Sequence, residues 1–417
     1  MEPVTLFSAL FVIMVTIHLL LELWLSARQV RSVQQHRPTV PEHFSDNLTL
    51  EAHQKAADYT TARQKLGQIE LLYGTVLLLA WTLGGGLQWL DQLWRGFGFE
   101  PLYLGVGFIL SLMLIGTLLE LPFSLYRTFI LEAQFGFNRT TRATYIGDLG
   151  KQFLLLLLIG APFVGVILWL MGLASPYWWL QVWAVWMGFT LLMIWAWPTF
   201  LAPLFNKFSP LENENLANRI EALLQQAGFD CDGIFIMDGS KRSGHGNAYF
   251  TGLGKKRRIV FYDTLLETLS EEEVLAVLAH ELGHFHNNHI KKRLLLGAAT
   301  TLFSLAILGW LIEQPWFYQG LGMDTPSHHA ALVLFLTASA PFTFWLQPMM
   351  AAYSRKHEFE ADDFAAEHTA AKDLITALAA LYRENASTVT PDWLYSAYHD
   401  SHPPAPVRIA HLEQREK

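Results

Sequence analysis

Only one cysteine, Cys231, stands in this chain of 417 residues. That excludes a disulfide framework and any cysteine-ligated metal site, and Cys231 reads as a small buried residue. Charged residues are scarce as well, at 16%. The net charge of −8 comes with no basic stripe, so nothing in the chain addresses nucleic acid. Internal repeats and low-complexity tracts are missing. The first apolar run lacks a basic leading region and is too long for an ordinary cleaved signal peptide, so it is expected to stay as an anchor.

Apolar residues, in contrast, make up 52% of the chain, and they are gathered into blocks long enough to cross a bilayer. Seven blocks stand out, at roughly 4–26, 68–90, 102–121, 153–173, 177–198, 294–312 and 330–351. The fifth carries Trp178, Trp179, Trp183, Trp186, Trp195 and Trp197, which suits lipid-facing and interfacial positions. Basic residues cluster in alternate loops, as in Arg28, Arg31, Arg37, Lys55, Arg63 and Lys65 after the first block. This asymmetry predicts an N-terminus outside and the long polar segments on the cytoplasmic side. The expected organisation is transmembrane helices 1–5 over 1–204, a cytoplasmic segment over 205–292, helices 6–7 over 293–351 and a cytoplasmic C-terminal segment over 352–417.

The first polar segment opens with Ser209-Pro-Leu-Glu-Asn-Glu as a helix start, followed by a stripe of Leu216, Ile220, Leu223 and Leu224. Ile234–Met237 and Ile259–Tyr262 read as strands, with Asn247–Phe250 as a third between them and Lys255–Arg258 as a solvated turn beside anionic headgroups. Then comes His280-Glu-Leu-Gly-His284, introduced by Ser270 and Glu273 at capping-box spacing. A helix brings i and i+4 to one face, so His280 and His284 can offer two imidazole nitrogens to one Zn²⁺, and Glu281 can reach a water on it.

A third protein ligand is required. A histidine six residues past His284 is ruled out, because position 290 is Ile290. His286 and His289 do not fit that spacing and read as polar helix or interface groups. The candidate is a carboxylate from 354–365, where Glu358 and Asp362 are four apart on one face and Glu360 points elsewhere. Glu358 can bind metal while Asp362 orients a ligating imidazole. Within the spans, His18, Glu22, Glu120 and Gln347 are costly in lipid and suggest a water-filled interior.

Four motifs in order, His280–His284, Asn247-Ala-Tyr-Phe250, Ser354-Arg355 with Glu358-Phe-Glu-Ala-Asp362, and Ser401-His-Pro-Pro404 with Arg408, resemble those of the CAAX prenyl protease 1 family of integral-membrane zinc metalloproteases. The resemblance covers essentially the whole chain. It implies an all-α membrane protein whose seven transmembrane helices form a barrel around a water-filled chamber, with a small cytoplasmic α+β zinc protease lobe of the gluzincin type. It further implies one Zn²⁺ per chain held by His280, His284 and Glu358, with Glu281 as acid/base and Asp362 supporting a ligand. Asn247, Ala248 and Tyr249 would lie on the substrate-binding edge. His402 and Arg408 would reach the site from the C-terminal segment, His402 to meet the oxyanion and Arg408 to meet substrate. The partners implied are peptides or proteins, lipidated ones included, and membrane lipids. Compact loops suggest a bacterial member in an inner membrane rather than the endoplasmic reticulum. Two rivals are a general quality-control membrane protease and a seven-span transporter or receptor with a structural zinc. An intact Glu281 argues against the second, since a structural site has no use for a base.

Overall fold

The computed structural model describes residues 2–45, 48–173, 175–253 and 256–415. Among these, six helices are long and apolar enough to cross a membrane: Pro3–His36, Pro101–Gln134, Arg142–Met171, Trp178–Leu204, His289–Leu311 and His328–His368. A seventh span exists only as a bent pair. Leu50–Trp81, capped by the Thr49 hydroxyl accepting from the Ala52 amide, ends early and Gly86–Gly96 leaves it at 51°. The expected single block at 68–90 is therefore corrected to a broken one. Its break lies at 82–85, where Gly85 is left-handed (φ 78°) and a methyl on Gly84 would sit 2.6 Å from the Ala80 carbonyl oxygen. Only glycine takes both positions without strain.

Three other spans are continuous but carry a π turn, at Arg127–Leu131, Leu156–Gly160 and Trp197–Leu201. Each extra residue shifts the face that a helix presents, a device common near functional sites. The last span also runs further than its apolar block implied. Beyond Thr343 a 3₁₀ turn, Phe344–Leu346, leads into Gln347–His368, so the segment bearing Glu358 is the continuation of a membrane helix.

The spans pack on Phe11, Leu87, Phe108, Leu168, Tyr318 and Leu334, while Leu6, Val76, Leu158, Trp169 and Phe303 face outward. Apolar side chains on both surfaces are what a lipid environment permits and water does not. Inside, a polar cavity of about 990 Å³ is lined by Glu22, Gln64, Arg127, Glu132, His245 and His399 among others. A neighbouring cavity of about 360 Å³ shares Tyr59, Arg63, His399 and Asp400 with it and reaches His402. Glu22 lines the larger cavity and approaches His399 Nε2 at 3.2 Å and His18 Nε2 at 3.7 Å. Glu120 and Gln347 are exposed and lie outside its lining.

The polar segment forms a four-stranded sheet in the order β1–β2–β4–β3, with β1 Phe208–Pro210, β2 Ile234–Met237, β3 Ala248–Leu253 and β4 Lys256–Tyr262. β4 runs parallel to β2 and antiparallel to β3, pairing Ala248 with Phe261 and Phe250 with Ile259. β3 is an edge strand. Ser209 and Pro210 belong to β1 rather than to a helix start; the helix begins at Glu214, capped by Asn213. Lys256–Arg258 are in β4 rather than in a turn, and Lys255 lies outside the described residues. Leu216, Ile220, Leu223 and Leu224 pack with Phe261, Leu278, Leu282, Phe364, Leu378 and Leu412 into one core. That core joins the sheet to the histidine helix Glu271–His286, to Gln347–His368 and to the C-terminal helices Ala371–Glu384 and Ala405–Glu413.

Candidate metal centre and active site

Ser270 and Glu273 close a capping box at the start of the histidine helix: the Glu273 carboxylate accepts from the Ser270 amide at 2.8 Å and the Ser270 hydroxyl accepts from the Glu273 amide at 3.4 Å. Val274, Leu278 and Leu282 bury one stripe, which fixes the helix rotation and leaves His280, Glu281 and His284 on the stripe beside it. Gly283 decides how near the next helix comes. A methyl there would lie 2.8 Å from the Ala361 Cα and 3.0 Å from its carbonyl oxygen. Without it, Gln347–His368 lies against the histidine helix and presents Glu358 from the facing side.

The result is a closed set of donors. Nε2 of His280 is 3.4 Å from Glu358 Oε2, and Nε2 of His284 is 3.5 Å from Glu358 Oε1. The ligand atoms of these three residues all lie within 4.8 Å of one another. Glu358 is 1% exposed, and its Oε2 has no hydrogen-bond partner. A buried carboxylate oxygen left unpaired is costly. Two imidazole nitrogens and one carboxylate around it are a donor set that fits a zinc-type cation.

Each group around this set has a partner. Asp362 Oδ1 lies 2.8 Å from His280 Nδ1, and Arg408 clamps both Asp362 oxygens, at 2.8 Å through Nε and 2.5 Å through Nη2. Arg408 is 7% exposed. Expected to meet substrate, it is instead tied to Asp362, because a buried guanidinium needs a carboxylate close at hand. His402 reaches Glu358 Oε1 with its Nε2 at 3.5 Å while its side chain remains 65% exposed, so it borders the open side. The loop that carries it is held by Arg355, whose Nη1 donates to the carbonyls of Ser396, Ala397 and Asp400 at 3.3, 3.1 and 2.8 Å.

Charge follows burial here. Burial pushes the Glu281 carboxyl above the usual carboxylate range. Burial, then the charge of His280, depresses His284 to about 3. For His280, burial and Arg408 oppose a charge, but the nearby carboxylates of Asp362 and Glu358 outweigh them and lift it to about 9. A cation entering the set would replace that proton.

The edge strand divides the expected substrate residues. Asn247 is exposed, its Oδ1 accepts from the Ala248 amide at 2.8 Å, and its carbonyl accepts from the Tyr262 amide at 2.9 Å. Ala248 and Phe250 face the histidine helix, with the Phe250 ring 4.7 Å from that of Phe285. Tyr249 points the other way, into a hollow with Phe208, Phe235 and Arg258. Its side chain is therefore placed away from the metal helix, as strand alternation requires. His289, read from the sequence as a polar helix or interface group, is 1% exposed and has its Nδ1 2.9 Å from Nδ1 of His284, a contact that sequence reasoning missed. No spacing rule announces it. The helix breaks at Asn288, in the left-handed region (φ 56°), and this brings His289 against His284.

Comparison with known proteins adds to this geometry. Residues 29–207 match the family model described as CAAX prenyl protease N-terminal, five membrane helices, and residues 210–416 match Peptidase family M48. A CAAX prenyl protease 1 homolog of Dictyostelium discoideum is 35% identical, covering 90% of each chain. The chain belongs to the CAAX prenyl protease 1 family. A homolog of Arabidopsis thaliana is 32% identical over 95% of each chain, and one of Homo sapiens is 30% identical over 94% of this chain and 92% of its own. The crystal structure of S. mikatae Ste24p superposes with a TM-score of 0.91 at 29% identity, covering 99% of both chains. This CAAX prenyl protease 1 family member is thus a multi-pass membrane metalloprotease with the chamber fold of Ste24p, and it acts on peptides or proteins. The reading as a transporter or receptor is set aside by the peptidase match.

Proposed function

We propose that the chain is a zinc-dependent endopeptidase that cuts near the C-terminus of CAAX-type prenylated peptides or other membrane-associated peptides. The observation that carries this reading is the orphaned Oε2 of Glu358 between two imidazole nitrogens, beside Glu281. His280, His284 and Glu358 would hold one Zn²⁺. When bound, that ion polarises a carbonyl and makes a nearby water more acidic. Glu281 takes the proton of the attacking water and delivers it to the leaving amine nitrogen. A carboxyl whose affinity for protons is raised by burial suits both halves of that transfer. Asp362, braced by Arg408, would keep the His280 Nδ1 proton in place and leave the Nε2 lone pair free for the metal. His402, on the open side, donates to the carbonyl oxygen as it gains charge.

Substrate backbone would add to the free edge of β3 along Asn247–Phe250, and the lipidated or apolar part would enter the chamber. The shared lining of the two cavities supports this route, since it connects the chamber to His402. We place both polar segments in the cytoplasm and the protein in a bacterial inner membrane, on the basic-loop asymmetry and the compact loops. The test is steady-state cleavage of a fluorogenic farnesylated peptide and its unmodified twin by purified, zinc-loaded protein. Faster cleavage of the farnesylated peptide is expected. Failure to cut either one would overturn the proposed substrate class.

A further inference from the structure

We propose that Glu360 and His289 form a positioning relay that sets the tautomer and orientation of His284. The inference rests on the reading of His284 as a metal ligand. His289 Nε2 lies 2.8 Å from Glu360 Oε2, and its Nδ1 lies 2.9 Å from His284 Nδ1. A carboxylate only accepts, so the His289 proton sits on Nε2. The Nδ1 of a neutral His289 is then an acceptor, and the proton between the two rings belongs to His284 Nδ1. That leaves the His284 lone pair on Nε2, the atom 3.5 Å from Glu358 Oε1. With His289 neutral, this is the tautomer chain that satisfies both contacts of its ring and leaves the His284 Nε2 lone pair free for a cation.

The two imidazoles of the metal set are therefore supported differently. His280 meets a carboxylate directly, whereas His284 meets one through an interposed ring. The interposed ring is itself held in place. His289 is 1% exposed, stacks on the His357 ring at 4.0 Å with planes 11° apart, and follows the left-handed turn at Asn288. Lys356 and Lys292 lie 3.7 and 4.0 Å from Glu360 and favour its ionised form. His289, His357 and Glu360 could also be read as a second metal cluster. Against this, both ring nitrogens of His289 are already engaged within the protein, and the flanking lysines repel a cation.

The decisive measurement is zinc affinity of the full-length purified protein, by competition with a chelator, alongside the visible spectrum of the cobalt-substituted form. His289→Ala should weaken zinc binding about 10–100-fold, as loss of an outer partner to a ligating histidine does. His289→Gln, which can accept and donate in the same two directions, should restore most of it and the wild-type cobalt spectrum. The partly exposed Glu360→Gln should lose less. The double variant His289→Ala with Glu360→Gln should be no weaker than His289→Ala alone, because a relay cut once has nothing left to transmit. Unchanged zinc affinity and spectrum in both Glu360→Gln and His289→Ala would overturn the relay, as would additive losses. Two zinc ions in the wild type, falling to one in His289→Ala, would replace it with a second metal site. If Glu358→Ala also retains full zinc affinity, the fault lies in the proposed ligand set and not in the relay alone.

Discussion

The membrane spans and the catalytic lobe use polar groups in opposite ways. In the lobe, ionic groups stand in direct, short contact: buried Asp362 with His280 and Arg408, and partly exposed Glu360 with buried His289. In the spans, Glu22, Gln64 and Arg127 also have partners, in His399, Tyr395 and Glu70, but they border a cavity of about 990 Å³. A dry site depends on every partner, because an unpaired charge there has no solvent to turn to. A wet chamber forgives the loss of one group. Changes in the lobe should therefore act steeply, and changes in the chamber gradually.

The steepest effect is expected at Glu281. Glu281→Gln should lower kcat by about 10²–10⁴-fold, the range for loss of a general acid–base, while about one zinc per chain remains bound. Measuring turnover and metal content on one sample checks both halves. The same residue sets the acid limb of the wild-type profile. Its carboxyl must be ionised to accept a proton, and burial raises its pKa, so kcat/KM should fall with decreasing pH from above the ordinary carboxylate range. A limb at about pH 4, the free carboxyl value, would refute a buried base.

Next in size is a graded loss of metal along Gln347–His368. Glu358→Ala should abolish measurable zinc affinity, and Asp362→Ala should reduce it about 10–100-fold. A larger loss from Asp362→Ala than from Glu358→Ala would mean that ligand and support have been exchanged. The smallest effects belong to the chamber and the sheet edge. Glu22→Gln and Asn247→Ala should raise KM for the farnesylated peptide by a few-fold without changing zinc content. A loss of zinc on Glu22→Gln would show that chamber and lobe are not independent, and the contrast between them would fail.

Much of the frame was legible from residue spacing, because hydrophobic length and helical period are local properties. Six of the seven apolar blocks fall within continuous helices. Ser270 with Glu273 marked the start of the histidine helix, and the i,i+4 spacing of Glu358 and Asp362 put both on one buried face. What escaped depended on tertiary contact. The run Gly84-Gly-Gly86 inside the block at 68–90 is a local sign of the break that the structure shows there. The outward turn of Tyr249 could have been read from alternation with Ala248 and Phe250. The pairing of Arg408 with Asp362 and the contact of His289 with His284 could not, because each joins residues from separate elements.

Gly283 bears no atom that could touch an ion, yet it lies where the two helices bearing the proposed ligands press together. Histidines come from one side of that contact and the carboxylate from the other. The spacing between the proposed ligands is thus set in part by a methyl group that is missing. If the three donors hold a metal as proposed, a residue with no side chain would help to set which ion they accept.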